Sequence, residues 1–381
     1  MSFFNPAFTY IREIFTERLP YFPANIRACL FIILFCVVAI VELYIYIALR
    51  RINQYKKKSQ EKKWKAHIHN MLANLVIYDE SDDTDEIIEH FFPRLQKLPL
   101  HIPIVKKILI TEILTYHKNF IGKPAELLSL LYVKLHLDQR SREKVKNKNW
   151  EVKIEGIREA NEMEVGEMAD DIIKYTDDEN ALLRMEAQAA YIKLSPKDPF
   201  RFLDRAQERI LDWHQLVLFE IITKDKKLQI PSFSKWLRSS NDTVVMLCLK
   251  LIDHFMQFDA AEEVERLLKH HNTKIVKKAI EIIGKLELES AEKHMFEVYF
   301  DQPLEIKTEI LNAIGRISSG RYSDFLSSRI YSDNYKIKRE ALYAIKRSAD
   351  LGEAKLREIY RQTSLENQAI INHVLDSRIK S

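Results

Sequence analysis

Glycine is scarce in this sequence, with only seven in 381 residues. Such a chain offers few positions for the tight turns of β-hairpins or for phosphate-binding loops, because both depend on glycine. None of the motifs GxGxxG, GxxxxGK[ST] and GxSxG occurs. Leu, Ile, Glu, Lys and Ala dominate instead, and these residues favour helices. The composition therefore predicts an all-α chain and argues against an enzyme built around a phosphate-binding loop.

Cysteines are few and the net charge is small. The three cysteines show neither a disulfide framework nor the CxxC spacing of a metal site. The formal net charge is +4, from 59 basic and 55 acidic residues, whereas a nucleic-acid-binding protein usually carries a larger basic surplus. We predict no catalytic residue, no metal and no cofactor. His270 and His271 are interpreted as a helix-end pair, because neighbours on a helix point in different directions and cannot share a metal.

Residues 28–49 form a long apolar run that contains a single charge, Glu42. As a helix this run reaches about 33 Å, enough to cross the hydrocarbon core of a bilayer. Its Leu, Ile, Val and Phe residues outweigh the cost of inserting one acid. Basic residues after the run outnumber those before it by eight to three. The sequence predicts a single-pass helix in the cell membrane, with the N-terminus outside and the C-terminal part in the cytoplasm.

The segments around this run have separate predicted roles. Glu42 either marks contact with another spanning helix or is a tolerated acid near the inner leaflet. The predicted divisions are an extracytoplasmic or interfacial segment at 1–27, the spanning helix at 28–49, a basic helical stalk and acidic turn at 50–86, and an α-solenoid at 87–381. The residues expected at the membrane surface are Arg50, Arg51, Lys56, Lys57, Lys58 and Trp64.

From about residue 150 the sequence repeats one amphipathic helix every 31 residues. In the stretch 272–286, Ile275, Ala279, Ile280 and Ile283 form one helical stripe. The first stripe positions of successive repeats are Val152, Leu183, Trp213, Val244, Ile275, Ile306 and Ile337. Three residues before most of them stands an asparagine, at Asn149, Asn180, Asn241, Asn272 and Asn334, with Ile210 and Pro303 as exceptions. Asparagine is a strong helix N-cap, so these positions are predicted to begin helices.

A shorter helix is predicted before each stripe helix, which gives antiparallel helix pairs. The shorter helices are expected at 164–176, 199–210, 230–237, 260–270, 291–300 and 322–331. Less regular pairs are predicted at 87–98 with 104–117 and at 125–137 with 152–163, and a capping pair at 353–361 with 365–378. The basic, polar stretch at 139–149 is interpreted as an exposed loop, which could also face the membrane or an acidic partner.

The stripe helices 183–194, 275–286, 306–317 and 337–348 resemble the HEAT-repeat family. The apolar–Ala–apolar–Gly ending of that family is matched best at 279–284 and 310–315, and Asp253 replaces its glycine in one repeat. The resemblance implies a right-handed stack of helix pairs whose second helices line a concave, protein-binding surface. Some HEAT-like metal oxygenases use His-Glu dipeptides, but no histidine here is followed by Glu.

A second column lies at the C-terminal ends of the stripe helices and contains His254, Lys285, Arg316 and Arg347, each 31 residues from the next. These cations either interact only with the helix dipoles or form a ridge that binds an acidic partner. The predicted partner-binding residues are Lys285, Arg316, Arg347, Lys278 and Arg339. The predicted function is a non-enzymatic, membrane-anchored scaffold that binds a protein partner. The alternative is a solenoid that binds an acidic polymer or nucleic acid through the ridge.

Overall fold

A computed structural model describes residue 21 and residues 23–76, 84–348 and 352–376. In these ranges all regular secondary structure is helical, which confirms the prediction of an all-α chain. Most of the predicted segment 1–27 and most of the acidic turn within 79–86 lie outside the described residues.

The α-helices of the described residues are α1 (Ala24–Val76), α2 (Thr84–Gln96), α3 (Pro103–Asn119), α4 (Lys123–Lys134), α5 (Asp138–Val145), α6 (Trp150–Glu162), α7 (Ala169–Ile172), α8 (Ala181–Leu194), α9 (Asp212–Lys224), α10 (Asp242–Phe255), α11 (Ala261–Arg266), α12 (Thr273–Lys285), α13 (Glu292–Val298), α14 (Leu304–Ile317), α15 (Ser323–Arg329), α16 (Tyr335–Arg347), α17 (Gly352–Gln362) and α18 (Leu365–Leu375). Short 3-10 segments lie at Gly166–Met168, Ile173–Tyr175, Arg201–Asp204, Ser234–Arg238, Phe258–Ala260, Leu267–Lys269, Glu289–Ala291 and Tyr299–Asp301.

The chain divides into two compact units, Met1–Leu131 and Tyr132–Ser381. Unit 1 contains α1, α2, α3 and most of α4, and unit 2 contains the repeated helices. The predicted boundaries at residues 28, 50 and 87 stay predictions.

Helix α1 is the central element of unit 1. It runs without a break for 53 residues, so the apolar run and the basic segment after it form one continuous helix. The 18-residue window with the highest mean hydropathy has none of its residues buried. Near the other end of α1, Ile68, Leu72 and Leu75 are buried, and this part packs against α3. Helix α1 is therefore held in unit 1 by its C-terminal third.

A polar contact fixes this attachment. Glu112 of α3 is almost fully buried, and its carboxylate lies 3.3 Å from the Lys65 ammonium and 3.3 Å from Nδ1 of His69 on α1. The Tyr116 hydroxyl donates to the His69 carbonyl oxygen over 3.2 Å. A buried carboxylate costs free energy unless it is paired, so this contact favours one register between α1 and α3.

In unit 2 the longer helices pack against one another in chain order, from α6 through α8, α9, α10, α12 and α14 to α16. The predicted asparagine N-caps are confirmed, since their side chains accept backbone N–H groups of the first helical turn. These five caps are Asn149, Asn180, Asn241, Asn272 and Asn334. Pro303 occupies the same position before α14 with extended backbone. These five caps explain most of the regular restarting of the helix.

The predicted apolar stripe is buried in most repeats, but the residue assigned to it at α9 is wrong. Trp213, assigned to the stripe, is 48% exposed, whereas its neighbour His214 is 2% exposed. Helix α9 begins after Leu211, one residue later than expected from Ile210. The residues that precede α8, α9 and α10 are Asn180, Leu211 and Asn241, so the spacing is 31 residues and then 30. Leu211 has no capping side chain that would mark this start in the sequence.

The polar stretch after α4 is also not the predicted exposed loop. It forms helix α5, which packs against α6 and buries Asp138, Ser141 and Val145. The Ser141 hydroxyl donates to Glu159 over 2.6 Å and lies 2.5 Å from the Tyr132 hydroxyl. These hydrogen bonds satisfy polar groups that the sequence pattern assigned to solvent.

Two glycines allow the last repeats to approach closely. A Cβ atom at Gly315 of α14 would lie 2.4 Å from the Ala344 Cα atom of α16. A Cβ at Gly284 of α12 would lie 2.9 Å from the Ala313 Cα atom of α14. Both distances are shorter than van der Waals contact, so larger residues would force these helices apart.

The shorter predicted helices are present but are mostly brief. The stretches 199–210 and 230–237 contain only the 3-10 segments Arg201–Asp204 and Ser234–Arg238. Aromatic packing holds this layer, because Phe200, Phe233 and Trp236 contact one another with ring centroids 5.1–6.1 Å apart.

Candidate functional site

Lys285 of the predicted basic column and the nearby Lys278 are both paired with one carboxylate, that of Asp253. The Lys285 ammonium donates to Asp253 over 2.7 Å, and the Lys278 ammonium donates to the other oxygen of the same carboxylate over 2.7 Å. Burial raises the pKa of the Asp253 carboxyl, but the hydrogen bonds from both lysines outweigh burial and hold it below its usual value. Lys278 also donates to Glu281 over 3.1 Å. Asp253, which stands where the next two repeats carry Gly284 and Gly315, is thus the shared acceptor of this cluster.

The arginines of the column have polar neighbours as well. Arg347 donates to the Asn312 side-chain oxygen, while burial and then the nearby Arg316 lower the pKa of Arg347. Arg339 donates to Glu340 over 2.8 Å. The structure therefore brings Arg316 and Arg347 together on neighbouring helices, as the 31-residue spacing predicts, within a surface that also contains carboxylates.

The residues predicted to meet the membrane surface all lie on α1. The side chains are exposed at Glu42, Arg50, Arg51, Lys56, Lys57 and Lys58, and Trp64 is half-buried. The Trp64 ring lies 6.3 Å from that of His67, between centroids. These positions follow one another along a single helix.

A polar turn precedes the N-terminal end of each longer helix that has an asparagine cap. Two residues before each asparagine cap, a side chain accepts the backbone N–H of that asparagine. The acceptors are Asn147, Asp178, Ser239, His270 and Ser332. Asn241 also donates to the carbonyl oxygens of residues 206, 207 and 208 in the preceding turn. These bonds satisfy backbone groups that helix starts leave unpaired.

Beside these polar turns lies a cleft of about 620 Å³ between the N-terminal ends of α9, α10 and α12. Its lining includes Asp242 and His271, and Nε2 of His271 lies 3.4 Å from the Asp242 carboxylate. Nε2 of His270 lies 3.7 Å from the same carboxylate, and the two imidazole rings stack with centroids 4.3 Å apart. The interpretation of His270 and His271 as a diverging helix-end pair is wrong, because both lie beyond the 3-10 segment in extended or bent backbone.

The three side chains have the residue types of a metal site, and they lie within 4.8 Å of one another. Nδ1 of His270, however, accepts the Asn272 backbone N–H over 3.1 Å. A neutral His270 must then carry its proton on Nε2, the nitrogen that faces Asp242. A metal at Nε2 would require that proton to move to Nδ1, where it would meet the Asn272 N–H. The arrangement therefore favours a hydrogen-bonded turn over a metal centre.

Helix α9 buries two polar side chains, His214 and Gln215, beside the apolar Leu218 and Ile222. His214 and Gln215 are almost fully buried, and burial followed by the nearby charge of Arg184 lowers the pKa of His214 to about 4. Gln215 donates to the Ile210 carbonyl oxygen over 3.1 Å. Among the described residues, Nε2 of His214 has no hydrogen-bond partner. This region carries the cost of desolvated polar groups.

The exposed side of α9 carries two large apolar side chains beside the charged Asp212, Glu220 and Lys224. Trp213 is 48% exposed and Leu216 is 63% exposed, one helical turn apart. Leu182 on α8 and Met246 on α10 lie at the equivalent helix positions and are also partly exposed. The sequence reasoning missed this surface because the one-residue register error placed Trp213 in the core.

Comparisons with known proteins give limited similarity. No family model matches the chain, and no curated protein matches it. Among solved structures, it is similar to an engineered protein from a structural genomics consortium, with a TM-score of 0.32, 13% identity and coverage of 81% of this chain and 87% of that one. Human deoxyhypusine hydroxylase in complex with glycerol gives 0.30, 11% identity, and 75% and 97% coverage. Kap121p bound to RanGTP gives 0.33, 13% identity, and 84% and 38% coverage. All three TM-scores are low.

Proposed function

We propose that this protein is a non-enzymatic scaffold, anchored in the cell membrane by α1, whose repeated helices bind a protein partner in the cytoplasm. The observation that carries the proposal is the continuity of α1. Its apolar N-terminal half is exposed, and its C-terminal third is packed into unit 1. An exposed apolar helix of this length is stabilised by a bilayer, and one end is already attached to folded protein.

The charges of α1 support the same arrangement. Arg50, Arg51 and Lys56–Lys58 follow the apolar run directly, where basic residues favour the cytoplasmic side and attract anionic lipids. Ile68, the first buried residue after them, lies 19 positions beyond Leu49. At about 1.5 Å rise per residue, the stalk would hold unit 1 roughly 28 Å from the end of the apolar run.

For unit 2 we propose HEAT-like repeats that present a protein-binding surface. The confirmed helix starts and the glycine–alanine contacts support a repeated helix pair, and the mixed charges around Asp253 suit a protein better than a polyanion. A nucleic-acid backbone would require a continuous basic track. We propose no covalent chemistry, and the hydrogen bond at Nδ1 of His270 supports this by opposing a metal at the Asp242 cluster.

Membrane extraction tests the anchor. We expect the full chain to remain in the membrane pellet after alkaline carbonate treatment and to be released by a non-ionic detergent. Val37→Arg with Val41→Arg should release it, because each arginine costs about 3 kcal/mol at the centre of a spanning helix. Gln54→Arg with Ser59→Arg adds the same charge to the stalk and should leave the protein in the pellet.

A reporter fused after Ser381 tests the orientation. Activity of a cytoplasm-dependent reporter is expected, and activity only of a reporter that requires the outer side would overturn the orientation. Recovery of the unmodified protein in the soluble fraction would overturn the anchor itself.

A further inference from the structure

We propose that the exposed apolar face of α9 is the docking surface for an acidic amphipathic helix of a protein partner. This face consists of Trp213 and Leu216, flanked by Leu182 on α8 and Met246 on α10. It rests on the proposed protein-binding function and specifies which surface binds and what chemistry it recognises.

Helix α9 combines buried polar side chains with exposed apolar ones. This helix buries His214 and Gln215, while it exposes Trp213 and Leu216 to solvent. Exposed tryptophan beside other apolar groups is typical of interface centres, where one or two aromatic anchors carry much of the affinity. At the positions equivalent to Trp213 and Leu216, helix α12 instead carries Lys274 and Lys277.

Positively charged side chains lie on α10 and α12, the helices that follow α9 in the stack. Lys274 and Lys277 are exposed, and Lys250 of α10 donates to the Gln215 side-chain oxygen over 2.9 Å. Asp212 interacts electrostatically with Lys250, and Glu309 does so with Lys277. Lys274 lines the same cleft as Asp212 and Asp242, and Asp242 already accepts the Asn272 amide over 2.7 Å. In the part of the chain that the structure describes, none of the three lysines has an ion pair within 4.0 Å, so the exposed Lys274 and Lys277 are available to a carboxylate of a partner.

Helix spacing gives the length of the partner segment. Packed helices lie about 8–10 Å apart, so a segment that crosses from α9 over α10 to α12 spans roughly 18 Å. A partner helix of about 12 residues covers this distance. Its apolar side chains would contact Trp213 and Leu216, and its acidic side chains would lie over Lys274 and Lys277. This is helix-in-groove recognition with charges that set its orientation.

Fluorescence anisotropy with a designed peptide tests the proposal. The probe is a labelled 16-residue helical peptide with leucines on one half of a face and glutamates on the other, titrated with the full chain in detergent micelles. We expect saturable binding that weakens at least tenfold with Trp213→Ala plus Leu216→Ser, and at least tenfold with Lys274→Glu plus Lys277→Glu. A peptide with lysines in place of the glutamates should bind at least tenfold more weakly.

Matched variants serve as controls. Lys336→Glu changes the residue of α16 that is equivalent to Lys274, and Leu365→Ser removes another leucine, which is 83% exposed. Both should bind the probe like the wild type. Leu216→Ser alone, at a side chain with little burial to lose, keeps the test valid if the double variant does not fold.

Several outcomes would overturn the proposal. Equal binding of the lysine peptide would remove the charge argument, and unchanged binding by the Trp213 double variant would remove the surface. Loss of self-association on Trp213→Ala, measured by sedimentation, would assign the face to a second copy, and loss of vesicle binding would assign it to lipid. Since the peptide assay uses detergent, its failure is distinct from failure of the anchor in carbonate extraction.

Discussion

Two parts of unit 2 share nearly the same repeat length but differ in the polar side chains that they bury. In α12, α14 and α16 the buried positions are apolar, and the backbones of neighbouring helices meet at Gly284 and Gly315. In α8 and α9 the buried positions include Arg184, Gln188 and His214 beside apolar residues, and the large apolar side chains of Trp213 and Leu216 are exposed. The comparison teaches that repeat length alone does not determine the character of a repeat. The C-terminal part is built for close packing, whereas the α9 region gives up buried apolar area and keeps it exposed.

The largest expected effect comes from the glycine contact of the close-packed part. Gly315→Ala should lower the free energy of unfolding by about 3 kcal/mol, because the new methyl group overlaps the Ala344 backbone. Gly284→Ala, with a less severe overlap, should cost less. Urea unfolding followed by circular dichroism measures both. Gly166→Ala, where the Cβ would lie 3.4 Å from its nearest neighbour, is the control and should change stability little. Equal stability of all three variants would contradict the close approach.

The second prediction concerns the polar core of α9. The pKa of His214 is about 4 in the folded protein and near 6.5 when unfolded, so between these values the unfolded state binds more protons. Wild-type stability should therefore fall as the pH falls from about 6.5 to 4, by about 2 kcal/mol near pH 4.5, since each pKa unit corresponds to ~1.4 kcal/mol. His214→Leu should lose this part of the pH dependence. Parallel pH profiles for the two proteins would show that His214 is not held neutral by burial.

A smaller effect is expected at the acid that joins α10 to α12. Asp253→Ala leaves Lys278 without one partner and should cost about 1–2 kcal/mol at pH 7. The pKa of Asp253 is held below its usual value, so its contribution is present above about pH 4 and is lost as the pH falls through the folded pKa. Asp253→Asn removes the charge and should approach the wild type at low pH. Thermal unfolding across pH 2–7 measures the difference, and a constant gap at all pH values would rule out the ion pairs as its cause.

The smallest stability effect is expected on the exposed face of α9. Leu216→Ser should change the free energy of unfolding by less than about 0.5 kcal/mol, because this side chain is largely exposed. Trp213→Ala should cost about 1 kcal/mol, because about half of its ring is buried. The matched buried variant is Leu218→Ala, which should cost about 3 kcal/mol. Thermal melts of the three variants measure the contrast. A large loss for Trp213→Ala would show that this ring supports the fold and is not held ready for a partner.

Much of unit 2 could be predicted because its helix starts are marked by local chemistry. The asparagine caps and the apolar stripe at Ile275–Ile283 identify the repeated helix. Helix α5 was missed because its buried residues Asp138 and Ser141 are polar, and the Ser141 hydroxyl finds its partners, Tyr132 and Glu159, on other helices. The register error at Trp213 has a different cause, since Leu211 provides no capping side chain to mark the start of α9.

The sequence by itself determined that the chain is helical, that α1 is long and apolar, and where most repeats begin. These properties depend on residues that are neighbours along the chain, such as a cap and the turn that follows it. Only the tertiary structure decided that Lys278 and Lys285 share Asp253, that His270 and His271 converge on Asp242, and that Trp213 lies outside. Each of these depends on side chains that belong to different helices or repeats, whose relative placement is set by packing and not by local pattern.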